Sequence, residues 1–318
     1  MRVGFLTHYS ALYGANRSLL NVIDGLRVYG VEPYVVAPDE GDLVSELRAR
    51  NVPFAVIPLQ WWVSSYRWPR EAVKRFFRNT RLFPALARQL QAWEIQAVYT
   101  NSAVIPSGAF AAKLLRLPHI WHLREFVDLD YGFHYDWGRK AFSMILGWAD
   151  AKIAISEPVR AHLLGSQAQD AVHVVYNGIA WEADFDRLHE YARRNSNEEH
   201  PYTFALLGMI HPSKGQNSAL QSMALLKDRF PQARLLIVGS GAKVHDEECR
   251  RLAADLGLDE QVEFWGYIKD PYRAYQAADA VLMCSRHEAL GRTTIEAMSA
   301  CRPVVGYDRA GTSELIEH

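Results

Sequence analysis

Short, uninterrupted apolar runs alternate with stretches of helical periodicity along almost the whole chain. Val3-Gly4-Phe5-Leu6 leads through a loop at 8–15 into residues 18–26, where apolar side chains at 19, 20, 22, 23 and 26 recur at helical spacing. Apolar runs at 33–37 and 54–57 flank a second helical pattern at 44–50. Further runs follow at 97–100, 120–122, 152–155 and 172–176, the last ending at the turn signal Asn177-Gly178. Runs without polar alternation mean burial on both faces, which is the pattern of a parallel sheet covered by helices. A polar stretch at 190–200 breaks the rhythm, which then restarts. Strand runs at 203–208, 234–238, 262–264, 280–283 and 303–306 alternate with helical patterns at 218–229, 247–256 and 271–277. The pattern predicts an α/β chain of two Rossmann-like, doubly wound domains, 1–180 and 201–318, joined by a linker at 181–200. Such domains place ligands at the carboxyl ends of their strands, here in a central cleft.

Composition narrows the class without choosing a chemistry. The 318 residues are 49% hydrophobic and 22% charged, as in an ordinary globular protein. The net charge of −1 hides an asymmetry: residues 1–180 carry 19 Lys and Arg against 15 Asp and Glu, and the remainder 16 against 21. An acidic second half argues against a nucleic-acid partner. Three cysteines, Cys249, Cys284 and Cys301, have no metal spacing and fit a reducing compartment. With no run of about 18 apolar residues and no leader-like apolar segment at the start, a cytoplasmic location is expected.

The chemistry concentrates near the end. In the stretch from Ser285 to Met298, Glu288 and Glu296 stand either side of Ala289-Leu290-Gly291-Arg292-Thr293-Thr294-Ile295, between a strand run and a helix. A strand, a glycine turn and a helix start aim backbone N–H groups and a helix dipole at an anion. Carboxylates beside that anion would face the neutral, hydroxyl-rich part of the same ligand. A sugar nucleotide has both parts. Gly208-Met209-Ile210-His211-Pro212-Ser213-Lys214-Gly215 adds a lysine on a glycine-bounded loop after a strand, able to reach a diphosphate as a point charge. Gly239-Ser240-Gly241 has Val244 where a dinucleotide fingerprint needs its third glycine, so it reads as a tight turn.

These segments resemble the retaining glycosyltransferases of GT-B fold in the large GT4 family. The loop 208–215 is similar to the family's G-x-L-x-x-x-K-G, residues 235–241 to its strand ending in G-x-G, and Glu288 to Glu296 to its E-x7-E motif. Phe264-Trp265-Gly266-Tyr267, Arg302-Pro303-Val304-Val305, Tyr13-Gly14-Ala15-Asn16-Arg17 and Asn177-Gly178-Ile179 fit its remaining motifs. The resemblance implies transfer of a hexose from a nucleotide sugar, UDP-sugar first and GDP-mannose next, to an acceptor hydroxyl on a glycan or lipid-linked saccharide, without a metal or other cofactor. It assigns Glu288 to the donor sugar's hydroxyls, with backbone at Ala289, Leu290, Gly291, Arg292 and Thr293 nearby. Glu296 goes to the ribose, Lys214 to the diphosphate, Gly14 to a close approach to the phosphates, and Tyr267 and Ile268 to the base. The family's strand-end histidine aligns with Arg124, two residues after His122, and both join the catalytic candidates. Met209 stands where many members have an arginine for the diphosphate, and Arg292 or His211 is the expected substitute. Members continue beyond the equivalent of His318, so an incomplete second domain is expected.

Between Tyr66 and Arg88 seven basic residues face one acidic residue, Glu71, with Trp61, Trp62, Tyr66, Trp68, Phe76, Phe77, Leu82 and Phe83 interleaved over 61–88. Aromatics and cations on one helix suit an anionic membrane surface, here the inner membrane face, as they also suit a solvated basic helix. Two other functions remain open at this level. A sugar-nucleotide epimerase would release altered sugar without acceptor, and a binding protein would hold the donor without turnover.

Overall fold

The computed structural model describes residues 1–165, 172–182, 185 and 200–317, in two compact units, Met1–Gly178 and Ile179–His318. Most of the segment expected as a linker lies outside the described residues.

In the first unit, β1 (Arg2–Leu6), α1 (Gly14–Val28), β2 (Glu32–Ala37), α2 (Asp42–Ala49) and β3 (Phe54–Val56) alternate as the sequence predicts. They are followed by β4 (Val63–Ser64), α3 (Pro69–Ala92), β5 (Ala97–Thr100), α4 (Ser107–Leu115), β6 (His119–Leu123) and α5 (Asp128–Tyr131). β7 (His134–Tyr135), α6 (Gly138–Leu146), β8 (Ala151–Ala154), α7 (Glu157–Leu164) and β9 (Val172–Val174) complete the unit. Seven strands form one parallel sheet in the order β3-β2-β1-β5-β6-β8-β9. Val3, Phe5 and Val35 pack with Leu19, Ile23, Leu43 and Leu47 on one face. Local signals set the helix ends: Ser156 caps α7 by accepting the Val159 N–H at 3.3 Å, and Pro158 fills its first turn.

The pair β4–β7, antiparallel and two residues long on each strand, carries too little pattern to be read in advance. It draws Trp62 inward, where the indole donates to the Ala103 carbonyl at 2.8 Å and stacks 6.0 Å from Trp121. Trp61 donates to the His8 carbonyl at 2.8 Å. Both tryptophans therefore leave the aromatic and basic surface expected over 61–88, because each has an indole N–H that a buried carbonyl satisfies.

The second unit comprises β10 (Thr203–Leu207), a 3-10 turn (Pro212–Lys214), α8 (Gln216–Leu226), β11 (Arg234–Val238) and α9 (Lys243–Asp255). β12 (Val262–Gly266), α10 (Tyr272–Ala277), β13 (Ala280–Met283), α11 (Arg292–Ser299), β14 (Val304–Gly306) and α12 (Ala310–Leu315) follow. The parallel sheet runs β12-β11-β10-β13-β14. Strand order thus reverses between β10 and β13, and in the first unit between β1 and β5. The loops leaving those strands flank each unit's crevice.

Candidate functional site

In the second unit the β10 exit loop is built to turn Lys214 towards the β13 exit. His211 accepts the Ser213 N–H at Nδ1, 3.2 Å away, and starts the 3-10 turn, while Gln216 reaches back to the Met209 carbonyl at 3.0 Å. Gly215 follows at φ +75°, and a Cβ there would lie 2.1 Å from the Cys284 carbonyl oxygen. Only glycine lets the two loops touch at this point. The result is an ion pair: Lys214 Nζ lies 2.8 Å from Glu288 Oε2, with side chains 20% and 16% exposed. His211 sits beside this lysine with its pKa lowered, by burial first and then by His245 and Lys214.

The turn carrying Glu288 is braced from behind, where the Gly311 N–H donates to the Glu288 carbonyl at 2.8 Å. Gly291, at φ +91°, forms the N-cap of α11, and Leu290 is buried. Arg292 opens the helix but turns along it: Nε donates to Glu296 Oε1 at 2.6 Å, and a second nitrogen donates to the Ile179 carbonyl at 3.2 Å. The other oxygen of Glu296 accepts the Tyr275 hydroxyl at 3.0 Å. Arg292, offered by the sequence for the diphosphate, is therefore engaged by the second glutamate of its own motif. Tyr267 and Ile268 part company. The tyrosine is 47% exposed, and the isoleucine packs on Ala205, Leu236 and Ala274. The Gly239-Ser240-Gly241 turn is a packing device, since Cβ atoms at its glycines would lie 1.8 and 1.9 Å from the carbonyl oxygens of Gly208 and Ile210.

The first unit's crevice is lined by buried polar groups. Asn16 donates to the carbonyls of Tyr9 and Ala11, both at 2.8 Å, and accepts from Thr7, which shapes the loop after β1. Gly14 begins α1, and a Cβ there would meet nothing within 4 Å, so packing does not demand this glycine. Arg124 is buried after β6 and donates to Asn101 Oδ1 at 2.5 Å and Asn177 Oδ1 at 2.7 Å. His122 is buried two residues earlier, on β6, its Nδ1 bonded to the Tyr99 hydroxyl. Burial and then Arg124 push the pKa of His122 well down. Burial followed by Arg124 lowers His8 to about 3.

Sequence reasoning passed over Glu125. Its carboxyl takes the Ser102 hydroxyl and, at 2.6 Å, the Ala103 N–H, fixing the loop after β5. Burial pushes its pKa up to about 7, with Asp130 adding and Ser102, the Ala103 N–H and Arg124 opposing. The available signal was an acid directly after Arg124 at a strand end. Around this crevice the rings of His8, Tyr9, Tyr13, Trp61, Phe133 and Tyr131 form a chain of contacts with centroids 4.1 to 6.0 Å apart.

Two Asp-x-Asp spacings, a pattern that can hold a metal, occur in the sequence. Asp128 bonds His162 at 2.6 Å and Arg139 at 3.4 Å, and Asp130 accepts the Phe126 N–H at 2.9 Å, so both brace local structure. The second spacing, 184–186, lies largely outside the described residues. Among the described residues no three His, Cys, Asp or Glu side chains group as metal ligands.

The crystal structure of Anabaena Alr3699/HepE in complex with UDP-glucose matches all of this chain and 83% of its own, with TM-score 0.78 and 22% identity. The glycosyltransferase EpsD of Bacillus subtilis (strain 168) is 24% identical over 75% of this chain, which spans 65% of that protein's length. A phosphatidyl-myo-inositol mannosyltransferase of Mycobacterium leprae (strain TN) is 27% identical over 97% of this chain and 79% of its own. The family described as Glycosyl transferases group 1 matches residues 189–318, and the one described as Glycosyltransferase Family 4 matches residues 13–182. With two parallel-sheet α/β units, as GT-B proteins have, and a family match over more than half its length, the chain belongs to glycosyltransferase family 4.

Proposed function

We propose that the chain is a retaining, metal-independent hexosyltransferase that uses a nucleoside diphosphate sugar, UDP-sugar before GDP-mannose. The observation that carries this reading is the Lys214–Glu288 ion pair at the point where strand order reverses. A donor can exchange that pair for two better-matched ones: its diphosphate takes Lys214, and its sugar hydroxyls take Glu288. Glu296, eight positions on, meets the ribose. The anionic end also faces the N-terminus of α11, whose helix dipole favours negative charge.

In the reaction the bond from the anomeric carbon to the leaving phosphate oxygen breaks as the acceptor oxygen bonds to the same face. The acceptor's proton passes to the departing phosphate. Lys214 neutralises the charge that grows on that phosphate, an interaction stronger in the transition state than before it. The neighbour Alr3699/HepE was crystallised with UDP-glucose, which supports the order of donors.

The first unit supports the acceptor side. Its ring chain offers flat apolar faces to a saccharide, and its buried polar groups offer fixed hydrogen bonds. A lipid-linked acceptor is favoured by the named mannosyltransferase relative and by α3. That helix and its surroundings expose Tyr66, Trp68, Phe76, Phe77 and Trp137 beside Arg70, Arg78 and Arg81, which suits the inner face of an anionic membrane.

A thermal-shift panel of nucleoside diphosphate sugars tests the reading, since a ligand at 100 times its dissociation constant stabilises by about 2.7 kcal/mol. A shift with UDP- or GDP-sugars, followed by transfer to a saccharide acceptor, is expected. No shift with either class rejects the donor assignment. Epimerised sugar released without acceptor points to the epimerase, and binding without transfer or hydrolysis points to a binding protein.

A further inference from the structure

Glu296 is fixed by two groups from different helices. Tyr275, fully buried on α10, donates to Oε2 at 3.0 Å, and Arg292, one turn earlier on α11, donates to Oε1 at 2.6 Å. Both partners are themselves held. Tyr275 packs with Val281, Ala297 and Ala300, and its carbonyl accepts from Arg302 at 2.8 Å. Arg292 also donates to the Ile179 carbonyl at 3.2 Å, at the start of the second unit.

This arrangement is not explained by helix stability. A cation in the first turn opposes the helix dipole, and arginine placed before glutamate is the weaker order for a pair four residues apart. What it achieves is direction. Each Glu296 oxygen has one acceptor position used and keeps another open, so the carboxylate can take one further hydrogen bond on each side. Burial, then the Glu296 carboxylate, holds the Tyr275 phenol well above its usual pKa, so it remains a donor through neutral pH.

Resting on the donor reading above, we propose that Tyr275 and Arg292 are positioning residues that preset Glu296 to accept both hydroxyls of a ribose. The site thereby selects ribonucleoside over 2′-deoxyribonucleoside diphosphates. A deoxyribose leaves one oriented, nearly buried acceptor direction unfilled, and sites built to bond a hydroxyl reject ligands that lack it.

Calorimetry with UDP and 2′-deoxy-UDP on the whole chain reads this directly, with GDP and 2′-deoxy-GDP as the pair if guanine is the base. The wild type is expected to prefer the ribonucleotide by roughly tenfold or more. Tyr275→Phe and Arg292→Leu should weaken UDP and leave 2′-deoxy-UDP nearly unchanged, bringing the ratio close to one. Arg292→Lys, which keeps a donor, should restore part of it. Lys214→Met, acting on the diphosphate, should weaken both nucleotides alike. If one of Tyr275→Phe and Arg292→Leu melts before assay, the other serves, since each removes the donor to a different oxygen of Glu296. Variants that weaken both nucleotides equally, or that keep the wild-type ratio, overturn the inference. A wild type that binds UDP and 2′-deoxy-UDP alike overturns it alone, and one that binds neither UDP nor GDP overturns the donor reading instead.

Discussion

Lys214 and Glu288, 74 positions apart in sequence, meet at 2.8 Å because Gly215 lets the loops after β10 and β13 touch. Each residue occupies the partner that a donor would take, so each is desolvated and oriented before any ligand arrives. Glu288→Ala should therefore abolish transfer, and Lys214→Met should lower kcat by roughly 10²–10³-fold, the usual loss when one charge-stabilising group is removed. Steady-state transfer assays check both, and wild-type turnover in Glu288→Ala would sink the assignment. Thermal melts add a second reading. Lys214→Met leaves a mostly buried carboxylate alone, so Lys214→Met with Glu288→Gln should melt higher than Lys214→Met, while remaining inactive.

The loop contact itself can be tested at Gly215. An alanine there meets the Cys284 carbonyl at 2.1 Å and keeps a left-handed φ of +75°. Strain of this kind costs on the order of 1–3 kcal/mol, and relief requires the two loops to separate. Gly215→Ala is expected to lower the urea midpoint and, in protein that remains folded, to raise the KM for donor. A variant with unchanged stability and unchanged KM would mean that the loops shift without consequence.

The fold class was legible because uninterrupted apolar runs have one common solution, a sheet covered on both sides. The roles of individual residues were less so. Arg292 and Glu296 stand four apart on a helix, and that spacing was in plain view. The sequence offered Arg292 or His211 for the diphosphate, and nothing in it announced Tyr275, which reaches Glu296 from another helix. Gly239 and Gly241, read as a tight turn for want of a third glycine, are places where two backbones cross. The same surface composition of aromatics hid two classes of tryptophan, since Trp62 is buried by a two-residue strand while Trp68 is 65% exposed.

Glu125 gives a pH prediction with a definite sign. Its pKa is raised to about 7 in the folded chain, so the protonated form is favoured there. Stability from this group is fully present below the unfolded value, near 4.3, and is lost as pH rises through about 7. His8 and His119, lowered to about 3 and about 4, act oppositely: their contribution is complete above about 6.5 and is lost as pH falls towards those values. Glu125→Gln, which can still accept the Ser102 and Ala103 bonds, removes only the first effect. Relative to wild type it should gain on the order of 1–3 kcal/mol between pH 5 and pH 8. Urea unfolding at the two pH values measures this, and a pH-independent difference would show that Glu125 does not titrate in that range.

Membrane docking separates the exposed aromatics from the buried ones. Arg75 cannot serve an anionic surface, because it is locked to Asp136, whose side chain is 2% exposed, and so pins α3 to the unit. The face proposed for docking is instead Trp68, Phe77 and Trp137, with Arg70, Arg78 and Arg81 exposed alongside. Each ring entering the interface contributes about 1.5–3 kcal/mol at full burial, and each nearby cation about 1 kcal/mol at an anionic surface. Trp68→Ser and Phe77→Ser should each weaken binding to vesicles containing phosphatidylglycerol by roughly fivefold or more, with melting temperature unchanged. Wild-type binding should fall with added salt, because exposed charges are screened within about 8 Å at physiological ionic strength. Trp62→Phe should do the reverse, lowering the melting temperature through the lost Ala103 bond while vesicle binding of the folded fraction stays the same. Sedimentation with vesicles checks all three, and binding that is indifferent to Trp68 and Phe77 would remove this face from the membrane.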